Sequence, residues 1–250
     1  MGESVMIPKI IHCCWIGECP KTGLAEKCRE SWRKFASGWT VREWTLDEVR
    51  RASSAGEIAP VPKFFEDAVK AQKWAFAADW VRFAVLHAYG GLYLDYDVEL
   101  LRRMEDFHGE FVAGQWMPGG GIGAEPAVVA LEKGSEVAKS MVDFYADAPF
   151  DIGRTAGVIL ESVLARKGLK MEVLHPEVFC PIGIDGVMRA SCRTIGVHRY
   201  AMSWATGRRK VARWLSWHGM RRAVDAFLVV RRAIARSSWP ARRGKERGAK

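Results

Sequence analysis

The chain has 250 residues, of which 49% are hydrophobic and 27% are charged, a composition that indicates a globular domain with a buried core and excludes a fibrous or wholly disordered chain. The sequence has no apolar stretch of about 18 residues that would span a bilayer, and its first residues lack the pattern of a secretory signal, so we expect a cytoplasmic protein. The net charge of +9 comes from residues 207–250, which hold 14 Lys/Arg and 2 Asp/Glu, whereas residues 1–206 hold 24 Lys/Arg and 27 Asp/Glu.

Strands and helices are predicted to alternate along residues 1–206, which we interpret as one catalytic domain. In chain order, hydrophobic periodicity and Gly/Pro breaks predict a strand at 7–16, a helix at 24–35, a strand at 39–44, one or two helices at 63–89, strands at 92–94 and 111–115, a Gly-rich loop at 118–123, helices at 127–146 and 157–166, and strands at 169–174 and 194–198. This alternation predicts an α/β sandwich with a mostly parallel sheet. Ligands of such sheets bind outside the carboxyl ends of the strands.

The strongest local signal is a short apolar strand that ends in two carboxylates, Asp95 and Asp97, on either side of Tyr96. A turn at the exit of the strand would let both carboxylates converge on one point, and Mg²⁺ or Mn²⁺ prefers such oxygen ligands. The metal would offset the charge on a departing nucleotide diphosphate. An exposed turn that binds nothing is the alternative explanation of this pattern.

A second signal lies on the preceding helix, where Asp79 and Arg82 are three residues apart and therefore share one face. One interpretation is an ion pair on the helix surface, which contributes little to stability. The other is a polar pair at the ligand-binding edge of the sheet. In that case Asp79 would accept hydrogen bonds from sugar hydroxyls and Arg82 would bind phosphate or sugar oxygens.

Seven short motifs in a fixed order resemble glycosyltransferase family 32. They are IPKIIH at 7–12, WIG at 15–17, SW at 31–32, EW at 43–44, KWAFAADWVR at 73–82, GGLYLDYDV at 90–98 and HRYAMSW at 198–204. The family includes α-mannosyltransferases, α-galactosyltransferases and bacterial polysaccharide enzymes, and it is related to the catalytic domains of glucosylating toxins. The resemblance covers residues 7–204, and it implies a GT-A-like α/β/α sandwich.

The resemblance also implies roles for the residues that bind the donor. Trp15 would stack on the nucleobase, as aromatic side chains do. Asp79 and Arg82 would hold the donor sugar and its phosphate. Asp95 would contact the ribose or the sugar, directly or through metal-bound water, and Asp97 would ligate the metal. A purely structural place in the core is the alternative for Trp15.

Further along the chain, His198 would be an additional metal or phosphate ligand and Trp204 would close over the diphosphate. The Gly-rich segment 119–123 would let the backbone approach the donor sugar or the acceptor. The last motif departs from the family, because Arg199 follows His198 where the family often has a second His, and Met202 stands where it often has Gly. A hydrogen-bonded structural role for His198 and a core role for Trp204 are the alternatives.

The resulting prediction is a metal-dependent, retaining hexosyltransferase that uses Mn²⁺ or Mg²⁺. A UDP-sugar is the favoured donor and GDP-mannose the second, and the acceptor is a glycan or lipid-linked acceptor in polysaccharide, capsule or glycolipid biosynthesis. The sequence shows no positioned nucleophile, so we expect the acceptor hydroxyl to attack from the side of the leaving group. The alternatives are a phosphatase of the haloacid dehalogenase type, whose later acidic motif we do not find, and a non-catalytic membrane or nucleic-acid adaptor.

Residues 207–250 are predicted to form a basic amphipathic helix with a disordered end. Trp214 and Leu215 fall on one side of the helix and Arg residues on the other, which suits an anionic membrane surface. The enzyme would then lie at the inner face of the cytoplasmic membrane, through residues 207–240. Packing of this helix on the catalytic domain, a solvated tail and nucleic-acid binding are the alternatives, and we expect no nucleic acid as a partner.

Overall fold

The computed structural model describes residues 6–183 and 186–201. Their elements are β1 (Ile10–Trp15), α1 (Gly23–Phe35), β2 (Thr40–Thr45), α2 (Leu46–Ser54), α3 (Lys63–Lys70), α4 (Trp74–Tyr89), β3 (Gly91–Leu94), β4 (Val98–Leu100), β5 (Phe111–Trp116), β6 (Ile122–Leu131), α5 (Glu136–Asp147), α6 (Ala156–Lys167), β7 (Glu172–Leu174) and β8 (Gly196–His198). The predicted basic helix and Trp204 lie outside the described residues.

The central sheet has six strands in the order β2-β1-β3-β6-β5-β7. Strand β1 pairs in parallel with β2 and β3, and β5 pairs in parallel with β7, whereas β6 runs antiparallel to both of its neighbours. Five strands therefore point in one direction. The predicted α/β sandwich with a mostly parallel sheet is confirmed.

Alternate strand residues enter two hydrophobic cores, one on each face of the sheet. On one face, Tyr93 and Val112 pack with residues of α2 to α6. On the other face, Leu92 and Leu94 pack with Trp32 of α1 and with the small sheet formed by β4 and β8. Helix α4 is buried along most of residues 76–86, because it lies between the sheet and other helices. None of the helices in the described part of the chain is long and apolar enough to cross a bilayer.

The prediction of one helix over residues 127–146 is wrong in its first part. Residues up to Leu131 belong to strand β6, and α5 begins only after the N-cap Ser135, whose side chain accepts a hydrogen bond from the Ala138 N–H. A short apolar run buried on both faces has the same composition in a strand as in a core helix. The β-branched pair at 128–129 favours the strand.

The two glycines that follow α4 let β3 pack close to β1. Gly90 and Gly91 have φ angles of 65° and 109°, which are accessible to glycine and strained for other residues. A Cβ at Gly91 would lie 2.5 Å from the Ile10 carbonyl oxygen. This tight turn carries the chain from the end of α4 directly into the strand that precedes Asp95.

Candidate functional site

A cleft of about 640 Å³ opens at the carboxyl ends of β1 and β3, where ligands bind in sheets of this type. Its walls come from the loop after β1, the first half of α4, the turn after β3, strand β6 and the start of α6. The described site residues that the sequence predicts line this one cleft: Trp15, Asp79, Arg82, Asp95, Asp97 and His198. A more open depression of about 720 Å³ near the start of α5 contains none of them.

Arg82 joins the helix to the strand exit. Its side chain is 5% exposed and lies 3.4 Å from Asp79 Oδ1 and 3.1 Å from Asp95 Oδ1. The guanidinium also lies over the Tyr93 ring, 4.6 Å from its centroid. The interpretation of Asp79 and Arg82 as a pair on an exposed helix surface is therefore wrong. A buried cation with two carboxylates is held in a fixed position at the floor of a cleft.

The turn after β3 brings the two aspartates together. The Asp95 N–H donates to the Ala127 carbonyl on β6, 2.9 Å away, and the Val98 N–H donates to the Asp95 carbonyl at 3.0 Å. The Asp97 Oδ2 accepts a hydrogen bond from the Ala201 N–H at 2.7 Å. The alternative of an exposed turn is excluded, because backbone contacts from β6 and from the segment after β8 hold the motif in place.

His198 reaches the motif through strand pairing that is distant in sequence. Strand β8 pairs with β4, with His198 opposite Val98, and this register puts His198 Nε2 3.3 Å from Asp97 Oδ1. Asp95, Asp97 and His198 each offer one ligand atom, and these atoms lie within 4.8 Å of one another. Two carboxylates and an imidazole are ligands that Mn²⁺ accepts, so the donor set fits a divalent cation.

Burial and mutual charge perturb the protonation of these groups. Burial alone would raise the pKa of Asp97, but His198 and the Ala201 N–H hold it below its ordinary value. Burial alone would lower the pKa of His198, but Asp97 raises it well above the usual range. Burial raises the pKa of Asp79 to about 7, although Arg82 opposes this shift. Burial also raises the pKa of Asp95, again against the effect of Arg82. The cleft thus carries an acidic excess that a bound cation would relieve.

Trp15 lies at the end of β1, on the rim of the cleft. Its indole Nε1 donates to the Cys19 carbonyl at 2.9 Å, and its ring meets Tyr96 edge to face with centroids 5.1 Å apart. The contacts fix the ring while it remains partly exposed. This position is compatible with stacking on a base.

The tyrosine of the motif contacts a group of charged residues, and we name these four residues the support cluster: Lys21, Arg29, Glu43 and Tyr96. Glu43 accepts hydrogen bonds from the Tyr96 hydroxyl, from Arg29 and from Lys21, the last at 3.0 Å. In the sequence, Glu43 is recognisable only as part of the motif at 43–44 that resembles the family. Its isolated position in β2 gives no sign that it would meet a tyrosine 53 residues away.

The Gly-rich segment does not line the cleft. Gly119, Gly120 and Gly121 form the turn between β5 and β6, with φ angles of 86° to 100°, and the Met117 N–H donates to the Gly121 carbonyl at 3.2 Å. The turn projects from the same edge of the sheet, but the described cleft walls contain none of residues 119–123. The predicted approach of this backbone to the donor has no support in the geometry.

Glu125 is a cleft residue that was not predicted from the sequence. It lies on β6 between the predicted Gly-rich loop and the segment mistaken for a helix, and it lines the cleft. Burial raises the pKa of its carboxyl group, against the effect of His198. In the sequence, the only sign that Glu125 belongs to the site is an acidic residue beside an apolar run. It became informative once β6 was placed next to β3.

The chain resembles known glycosyltransferases. A family model described as a glycosyltransferase sugar-binding region containing a DXD motif matches residues 24–113. An uncharacterized glycosyltransferase of Acanthamoeba polyphaga mimivirus is 32% identical over 105 residues, which make up 42% of this chain and 41% of the relative. The match thus spans less than half the length of that curated relative.

Two solved structures of glycosyltransferases align with part of this chain at low sequence identity. The PaToxG glycosyltransferase is 17% identical, with a TM-score of 0.49, over 66% of this chain and 71% of that chain. A glycosyltransferase involved in the glycosylation of the major capsid of PBCV-1 is 15% identical, with a TM-score of 0.49, over 80% of this chain and 95% of that chain.

The segment matched by the family model contains Asp79, the buried Arg82 and both aspartates of the Asp-Tyr-Asp turn. These residues line the cleft that the fold predicts for a ligand. A phosphatase of the haloacid dehalogenase type does not account for the match. Residues 24–113 thus resemble the sugar-binding region of glycosyltransferases that contain a DXD motif.

Proposed function

We propose that this protein transfers a hexose from a nucleotide-sugar to a glycan or lipid-linked acceptor, with a divalent metal and with retention of the anomeric configuration. A UDP-sugar is the first choice of donor and GDP-mannose the second. The observation that carries the proposal is the convergence of Asp95, Asp97 and His198 within 4.8 Å beside the buried Arg82. A cleft of about 640 Å³ is within the usual range for small-molecule sites.

The order of the strands suggests how the donor lies. Trp15 ends β1, Asp95 follows the neighbouring β3, and β6 lies on the far side of β3. A base stacked on Trp15 would therefore place the diphosphate near Asp95 and Asp97 and the sugar toward β6. Mn²⁺ or Mg²⁺ held by Asp95, Asp97 and His198 would supply positive charge to the diphosphate.

The protein's own groups orient the sugar and assist its departure. Arg82 offers N–H donors to phosphate or sugar oxygens, and Asp79 accepts hydrogen bonds from sugar hydroxyls. The bond between the anomeric carbon and the diphosphate oxygen breaks, and its electron pair stays on that oxygen. The acceptor hydroxyl oxygen forms the new bond from the same side, and its proton passes to a phosphate oxygen. Preorganised charges around the leaving group lower the barrier.

The test is release of nucleotide from a panel of UDP-, GDP-, dTDP- and CMP-sugars, with Mn²⁺, Mg²⁺ or EDTA. We expect one donor class to be cleaved in a metal-dependent way and Asp97→Ala to lose the activity, by about 10³-fold. Asp143→Ala is the matched control, since Asp143 is an exposed residue of α5 that pairs with Lys139. Absence of both release and metal-dependent nucleotide binding in the wild type would contradict the proposal and favour the adaptor.

A membrane location is a separate proposal that rests on the sequence of residues 207–240. Their alternation of apolar and Arg residues suits an anionic lipid surface and would bring the enzyme to a lipid-linked acceptor. Sedimentation with anionic vesicles should retain the full chain and lose a variant that ends at residue 207. Equal sedimentation of the two proteins would refute this location and leave the donor chemistry unaffected.

A further inference from the structure

One cleft carboxylate, Glu125, is not within ion-pair distance of any cation among the described residues, although the charge of His198 acts on it. Asp79 and Asp95 contact Arg82, and Asp97 contacts His198. Glu125 forms no ion pair within this part of the chain, and its described hydrogen bond is a long one from the Ala127 N–H, at 3.4 Å. It is also outside the trio whose ligand atoms lie within 4.8 Å. Glu125 is partly buried, and a carboxylate removed from water in this way is costly unless a ligand satisfies it.

An irregularity in β6 determines the position of Glu125. Opposite β5, Val112 pairs with Val129, but the next residue, Ala113, pairs with Glu125. Residues 126–128 of β6 therefore have no pairing partner in β5. One of them, Pro126, has no N–H to donate. Such bulges bend a strand and redirect a side chain, often next to an active site. The bulge lies where the Ala127 carbonyl meets the Asp95 N–H, at the metal-binding turn.

The sheet order indicates which part of a donor would meet this carboxylate. Strands β1 and β6 lie on opposite sides of β3, so Trp15 and Glu125 lie on opposite sides of Asp95. The Glu125 carboxylate would repel a diphosphate. The diphosphate is attracted instead to Arg82 and to a metal ion held by the Asp95 site. With the diphosphate at Asp95 and Asp97 and the base toward Trp15, the remaining part of the donor is the sugar.

We propose that Glu125 is a substrate-contacting residue whose carboxylate binds the donor sugar and stabilises the positive charge that develops on the ring as the diphosphate departs. The inference rests on the proposed function and adds a residue to it. Glu125 accepts hydrogen bonds from sugar hydroxyls in the bound donor. Its charge acts most strongly in the transition state, because the ring is neutral before the bond to phosphate breaks.

Glu125→Gln keeps the size of the side chain and removes its charge. With the donor identified in the panel above, we expect kcat for nucleotide release to fall by about 10²-fold, with the affinity for UDP or GDP plus Mn²⁺ unchanged. Glu161→Gln is the matched control: Glu161 also contacts β6, accepting from the Ala124 N–H at 2.8 Å, but does not line the cleft. It should leave kcat unchanged.

Three outcomes would overturn the inference. Unchanged kcat and KM for the nucleotide-sugar in Glu125→Gln would show that the carboxylate does not contact the sugar. Loss of UDP and Mn²⁺ binding equal to that of Asp97→Ala would make Glu125 a metal ligand instead. Equal loss of kcat and of melting temperature in Glu125→Gln and Glu161→Gln would make both residues structural. If the wild type neither cleaves nor binds any nucleotide-sugar, the proposed function fails in the unmodified chain, independently of the variants.

Discussion

The Asp-Tyr-Asp turn has two sides with opposite charge balance. On the cleft side, four carboxylates (Asp79, Asp95, Asp97 and Glu125) face only Arg82 and His198 among the described lining residues. On the other side, in the support cluster, Glu43 is paired with both Lys21 and Arg29 and also accepts from the Tyr96 hydroxyl.

This difference distinguishes the cleft residues, which would bind a ligand, from the support cluster, which keeps the turn in place. The support cluster satisfies its single carboxylate completely and anchors the middle residue of the turn. The cleft leaves carboxylates in excess, which is unfavourable in the free protein and becomes favourable when a cation and a donor bind.

The same substitution on the two sides should have unequal effects on stability. Arg82→Met removes a buried cation from the partly buried Asp79 and Asp95, and we expect the free energy of unfolding to fall by about 3–5 kcal/mol. Arg29→Met removes a cation that is 24% exposed from Glu43, which keeps Lys21, and should cost about 1 kcal/mol or less. Urea unfolding measures both, and equal losses would contradict the contrast.

A buried histidine outside both groups should add a separate dependence on pH. Burial lowers the pKa of His12 to about 4, and its neutral ring bonds to the Gly90 carbonyl at 2.9 Å and accepts from the Trp44 indole at 3.0 Å. The unfolded chain binds this proton near pH 6.5 and the folded chain only near pH 4. The stability contribution is therefore complete above pH 6.5 and falls by up to about 3 kcal/mol as the pH decreases to 4.

The contribution of His12 is the difference in unfolding free energy between the wild type and His12→Gln, measured at each pH. The slope of unfolding free energy against pH between 4 and about 6.5 should be smaller in the variant. His175→Gln, at a residue whose side chain is 38% exposed, should keep the wild-type slope. Identical slopes in all three proteins would show that His12 is not the group responsible.

Mn²⁺ should stabilise the wild type because it offsets the acidic excess. At about 100 times its dissociation constant, a single bound ion adds about 2.7 kcal/mol to the free energy of unfolding. Thermal unfolding with Mn²⁺ and with EDTA measures this gain, which Asp97→Ala should abolish. The Tyr96→Phe variant leaves all three candidate ligands in place and should retain it.

The smallest expected effect is at the tyrosine of the turn itself. Tyr96→Phe removes the hydrogen bond to Glu43 and should lower the free energy of unfolding by about 1 kcal/mol. Tyr145→Phe is the control, because the buried Tyr145 hydroxyl has no hydrogen-bond partner in the described part of the chain. A larger loss at Tyr145 than at Tyr96 would argue against a supporting role for the Glu43 contact.

Local patterns in the sequence predicted most of the helices and strands and part of the site. The spacing of Asp79 and Arg82 put both on one helix face, and the strand ending at Leu94 predicted a turn with two carboxylates. Periodicity failed at residues 122–131, because a strand covered on both faces is as uniformly apolar as a core helix. That error hid Glu125, since its importance depends on a strand that was predicted as a loop followed by a helix.

The sequence by itself determined the alternation of helices and strands, the motif order and the carboxylates at the end of β3, because these depend on neighbouring residues. Only the tertiary structure decided which distant groups meet them: His198 through the β4–β8 pairing, Arg82 as a buried cation shared by two aspartates, and Glu125 through a bulge in β6. Such contacts join residues up to about a hundred positions apart. Strand order and register create them, and a local pattern of residue types does not encode either one.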